Sequence, residues 1–207
     1  MHFPIKTLTC ALFSVLGFFF HPTHVLANTE KQSYLEEHIS PQSSSMLNLY
    51  FRSMGKPRSI EEDELVAPQN ASAESLALYY FARLYLKRYE GVPLPKDMPD
   101  LIEFGKAHHL PWVVAEAQLN KAVTMIELDD NWNAELVLHD IIAEARDLGY
   151  LALEGRAYRW LGNLEVSRNQ LRSGLKYYRT AYELLERTVF EMQVAMTLNN
   201  IGTVYID

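Results

Sequence analysis

The chain has 207 residues, 48% hydrophobic and 22% charged, a composition that supports a buried core and excludes wholesale disorder. Its formal net charge of −7 argues against a nonspecific nucleic-acid binder. Nine Gly and nine Pro are too few for a sandwich with a turn every few residues, while 12 Tyr and 9 Phe suit helix packing, so an all-α fold is expected.

Residues 1–27 read as an export signal. Lys6 gives a weak positive start, residues 8–20 form an apolar run short for a bilayer span, and Val25-Leu26-Ala27 supplies a cleavage site before Asn28. The alternative is an uncleaved membrane anchor, which Pro22 and two histidines interrupt. Cleavage removes Cys10, the single cysteine, and leaves no disulfide, zinc or thiol chemistry. An exported, periplasmic protein is the expected product.

Residues 28–45 are polar and show no apolar period, which predicts a mobile arm. Met46, Leu47, Leu49, Tyr50, Phe51 and Met54 predict a short helix, stopped by Gly55-Lys56-Pro57. Ser59 with Glu62 fits a capping box, although Pro68 limits any helix begun there to two turns. This segment, 28–72, precedes a repeat domain over 73–207.

Helix pairs are predicted at 73–89 with 100–108, 111–127 with 131–148 and 150–167 with 171–187, then a lone helix from about 191. Leu153, Ala157, Trp160, Leu161 and Leu164 lie on one helical face; Leu175, Tyr178, Ala181, Tyr182 and Leu185 repeat the pattern, as do Ala134, Leu138, Ile141, Ile142 and Ala145. Small residues keep a period of 40: Ala82, Ala122, Gly162 and Gly202 form one column, and Ser75, Ala115, Gly155 and Ala195 another. Glycine inside a helix costs about 1 kcal/mol relative to alanine, so Gly162 and Gly202 imply close helix crossing. Leu198, Ile201, Val204 and Tyr205 lie on the last helix, for which no second helix is predicted, so the array is expected to be open there.

Tyr158-Arg-Trp-Leu161-Gly162 and Leu198-Asn-Asn-Ile201-Gly202-Thr-Val-Tyr205 resemble the first-helix pattern of tetratricopeptide (TPR) repeats, and Gly174, Tyr178 and Ala181 resemble the second. Tyr158 and Leu198 stand in place of Trp, Glu165 in place of Tyr, and Glu186 where a closing Pro is common. The resemblance implies a right-handed α-α superhelix, a TPR-like solenoid of about three helix pairs and a lone helix, in the long-repeat variety. With the export signal, it is similar to the periplasmic input region of bacterial membrane-bound signalling proteins, which continue into a diguanylate cyclase (GGDEF) or, less often, a histidine kinase domain.

No nucleotide loop, nucleophile motif or metal-ligand spacing is present, so no catalysis, cofactor or metal is expected of these residues. His108-His109 reads as a solvated helix end, Glu127, Asp129 and Asp130 as capping residues at a turn, and Trp112, Trp132 and Trp160 as core. In the resembled family, the groove lined by the first helices binds extended peptides. Arg156, Arg159 and Asn163 lie off the apolar stripe, Asn199 and Thr203 recur one repeat later, and Arg83, Glu116 and Asn120 extend the face. Residues 28–150 hold 11 basic and 20 acidic side chains, whereas 151–190 hold 7 and 4. A protein or peptide with an acidic segment or a C-terminal carboxylate is the partner this face would select, against the plainer reading of a solvated surface. A membrane would be reached only through an uncleaved signal or a further carboxyl-terminal part.

Overall fold

The computed structural model divides into two units, Met1–Glu30 and Lys31–Asp207. It describes residues 33–61, 64–93 and 97–206, all in the second unit, so the predicted export signal lies outside the described residues. The described residues form α-helices, joined by short connections from residue 101 onward: α1 (Tyr34–His38), α2 (Ser44–Gly55), α3 (Ala73–Glu90), α4 (Leu101–Ala107), α5 (Pro111–Glu127), α6 (Asn131–Leu148), α7 (Leu151–Ser167), α8 (Leu171–Leu185) and α9 (Glu191–Ile206). None of them is long and apolar enough to cross a membrane.

Local chemistry explains where the helices begin and end. Ser72 Oγ caps α3 by accepting from the Ser75 amide at 3.2 Å. Asp100 caps α4 through the amides of Ile102 and Glu103, and Pro111 occupies the first position of α5. Four successive helix ends share one solution. His109, Asp129, Gly149 and Asn169 all have positive φ, at 56°, 63°, 72° and 61°, and fall at even sequence intervals. After each, the next amide returns to a carbonyl five residues back: Leu110 to Gly105, Asp130 to Met125, Tyr150 to Ala145 and Gln170 to Glu165. Histidine, aspartate, asparagine and glycine are the residue types that tolerate this conformation, so the sequence carries the turn register.

Consecutive helices from α4 to α9 pack on one another, and α7 also touches α5 and α9. A Cβ added to Gly155 would lie 2.7 Å from Leu185 Cγ, one at Gly174 would lie 2.5 Å from Val166 Cγ2, and one at Gly162 would overlap the Tyr178 ring. The start of α7 therefore meets the end of α8 and the reverse, an antiparallel pair brought close by glycine. All five residues of the predicted α6 stripe are buried, as are Leu153, Ala157, Leu161 and Leu164 of α7.

Several expectations need correction. The polar arm is structured from Ser33 onward: Tyr34, Leu35 and Ile39 are buried, and Tyr34 stacks on Tyr150 at 4.8 Å. One and a half turns hold too few apolar residues to show a period. Pro57–Ser59 forms a single 3₁₀ turn, and Ser59 donates to the Lys56 carbonyl; Glu62 lies outside the described residues. α3 packs chiefly along α2 and meets α4 through Tyr80 and Phe104, so the first predicted pair is only partly formed. Trp112 is buried, but Trp132 is 70% exposed, because it lies on the outer side of α6. Asp129 and Asp130 bind the Asn131 and Asn133 side chains instead of capping α6. On α9, Val204 is buried and Ile201 half-buried, while Leu198 and Tyr205 are exposed.

Candidate functional site

Glu116 and Arg156 occupy equivalent positions on α5 and α7, 40 residues apart, and form an ion pair at 2.5 Å with both side chains inside the protein. Burying two charges costs several kcal/mol each unless further hydrogen bonds satisfy them, and most of those bonds are present. The Tyr85 hydroxyl donates to Glu116 Oε1 and accepts from Arg156 at 2.7 Å and from Asn120 Nδ2 at 2.9 Å. Arg88 then donates to Asn120 Oδ1 at 3.0 Å, to Thr124 at 2.9 Å and to Glu127 at 3.3 Å, carrying the network outward to solvent. Glu116 Oε2 has no hydrogen-bond partner.

α2 and the turn before α7 cover this network. Tyr50, fully buried, faces Tyr150, their hydroxyls 3.3 Å apart, and Phe51 packs edge-on against Phe190 at 5.3 Å. Burial and the neighbouring Glu116 carboxylate push the Tyr50 and Tyr150 phenols well above their ordinary value; burial does the same to Tyr85. All three stay neutral and serve as hydrogen-bonding groups.

Arg159 differs from Arg156. It is 5% exposed, takes part in no salt bridge among the described residues, and donates only to Gln193 Oε1 at 3.0 Å, with its Nε unpartnered. Burial, together with the adjacent Arg156 charge, lowers its pKa to about 10. Its guanidinium lies over the Trp160 ring, 5.5 Å from the centroid, which offsets part of the lost hydration.

The eight residues of the expected binding face therefore do not form one open surface. Glu116, Asn120, Arg156 and Arg159 are buried, the first three bonded to Tyr85 of α3 and the last to Gln193 of α9. Asn163 accepts from Tyr178 and from Asn200, each at 2.9 Å, and so ties α7 to α8 and α9. Arg83 is held by Asp97 through two bonds of 3.1 and 3.3 Å. Only Asn199 and Thr203 are exposed, with Thr203 donating to the Asn200 carbonyl. Tyr50, Tyr85, Tyr150 and Gln193 complete the site; the tyrosines are apolar-stripe or turn residues by pattern and Gln193 is a polar residue near the start of α9, and nothing in their spacing distinguishes them. The Glu116 and Arg156 pairing could have been found, since opposite charges recur there at the repeat period.

Chemically, the network is a set of fixed donors and acceptors around one carboxylate, without a nucleophile. No cluster among the described residues could hold a metal ion. Over the described residues, the fold and site together define an all-helical protein whose polar interior joins the alternate helices α3, α5, α7 and α9. No known protein family, curated protein or solved structure matches the chain.

Proposed function

We propose that this protein is a noncatalytic interaction or sensory module, a TPR-like superhelix acting in the periplasm, with the outer face of α9 as its main contact surface. The observation that carries this reading is a comparison of α7 with α9. The α7 positions that meet α8 are Gly155, Gly162 and Val166, with Tyr158 stacked on Tyr177 at 6.0 Å. Their counterparts 40 residues later are Ala195, Gly202, Ile206 and Leu198. Leu198 and Ile206 are 49% and 86% exposed, and nothing lies within 4 Å of a Cβ added at Gly202. α9 thus presents the surface that α7 uses to hold a helix, and an amphipathic partner helix with the small, aromatic and Leu spacing of Gly174, Tyr178, Ala181 and Leu185 would fit it.

A synthetic peptide with the sequence of residues 170–187 tests this. It should bind the chain and slow amide exchange in α9, and Gly202→Trp or Ile206→Glu should abolish both effects. A peptide that leaves α9 exchange unchanged removes the assignment. The second reading is that the same face receives a further helix in a longer signalling protein, a diguanylate cyclase or, less often, a histidine kinase, with its output domain beyond that helix. It rests on the same exposed side chains, and a stop codon directly after codon 207 in an undisrupted frame would exclude it.

A further inference from the structure

A cleft of about 810 Å³ lies where the end of α2, the end of α3 and the first turns of α9 meet. That is the size range of sites for small organic ligands. Its apolar walls are Met54, Tyr85, Tyr89, Met192 and Met196, with Met192 and Met196 44% and 41% exposed. Methionine side chains are unbranched and polarisable, so such a wall adapts to a flexible or irregular apolar body.

The charge around the cleft is the informative feature. The whole chain carries 26 acidic against 19 basic residues, yet the described residues lining the cleft include Lys56, Arg58 and Arg88 and no Asp or Glu. Arg88 is 3.3 Å from Glu127, while Arg58 uses its Nε on the Tyr89 hydroxyl at 2.6 Å, and Lys56 enters no salt bridge among the described residues. Behind the wall, Tyr85 is bonded to Arg156 and Gln193 to Arg159, so two guanidiniums stand against the single Glu116 carboxylate. Arg159 occupies the Gln193 carbonyl oxygen, which leaves the Gln193 amide as a donor on a residue that lines the cleft. The site combines an apolar floor, a neutral donor and a rim whose charged residues, among those described, are basic.

We propose that this cleft binds a small anionic amphiphile: a carboxylate whose head is held by Lys56 and Arg58 and whose apolar body lies between Met54, Tyr89, Met192 and Met196. Such binding is independent of the α9 docking face and of the repeat reading, since it needs only the cleft and its charge. Lys56 and Arg58 are exposed and make no contact with the buried network, so replacing them leaves the core intact.

Decanoate, decanol and decyltrimethylammonium share one apolar body and differ in head charge, and calorimetric titration of each below its micelle concentration reads the site directly. Decanoate should bind saturably at one site per chain, with decanol weaker by about tenfold or more, the worth of one charge-assisted hydrogen bond, and the cation weakest. Lys56→Gln combined with Arg58→Gln should bring decanoate down to the affinity of decanol and leave decanol unchanged. Met196→Trp, which fills the cleft from a partly exposed position, should weaken both. Equal affinity for decanoate and decanol, an unchanged decanoate affinity in the double variant, or no saturable binding would overturn the proposal.

Discussion

Glu116 and Arg156 are each excluded from water, and either alone would be an uncompensated buried charge. Arg156→Met should therefore lower stability by about 3 to 5 kcal/mol, a large part of the roughly 5 to 15 kcal/mol typical of a domain, read as the midpoint of urea unfolding. Arg159→Met should move the midpoint the other way. With its pKa down to about 10, Arg159 binds its proton less tightly folded than unfolded, so at neutral pH its charge opposes folding. A strongly destabilised Arg159→Met would mean that its bond to Gln193 outweighs desolvation. For Tyr50 and Tyr150 the shift is upward from 10.0, so the stability they contribute is intact below that value and lost as pH rises beyond it. Alkaline titration should show their phenolates, by ultraviolet absorbance, only as helical circular dichroism is lost.

At the level of helices and turns, glycine substitutions separate close packing from free surface. Gly162→Ala improves helix propensity but drives a methyl into the Tyr178 ring, and should cost about 1 to 3 kcal/mol. Gly202→Ala, on the corresponding position of α9, meets nothing and should gain up to about 1 kcal/mol, which thermal unfolding of the two variants would compare. The long helices were legible in the sequence to within about two residues, because periodicity, Pro111 and Gly149 mark them strongly. α1 was not, since five residues carry no period, and neither was the split of α3 between α2 and α4. Of the buried polar site, the sequence singled out Glu116, Asn120, Arg156 and Arg159 but neither their burial nor the tyrosines and Gln193 around them. Arg156 and Arg159 sit off the apolar stripe of α7, and a single helix cannot show that another element will cover its polar side.

Across the folded unit, α2 holds a position that the repeats alone would leave open. It packs along α3 and also reaches α9, so one helix of 12 residues touches the first and last members of the α3 to α9 series. Contacts within that series run chiefly between helices that are neighbours in sequence, with α7 also meeting α5 and α9, whereas the Tyr50 and Tyr150 hydroxyls meet across 100 residues. Loop closure over such a separation carries an entropic cost before any contact repays it, so the neighbouring helices are expected to assemble before α2 docks. Phe51→Ala would then speed unfolding while leaving the folding rate nearly unchanged, and stopped-flow measurement of both rates decides it. If the rates change in that way, α2 acts as a clasp that sets the lifetime of the folded unit, and its docking, not the array's assembly, governs how long the buried ion pair stays dry.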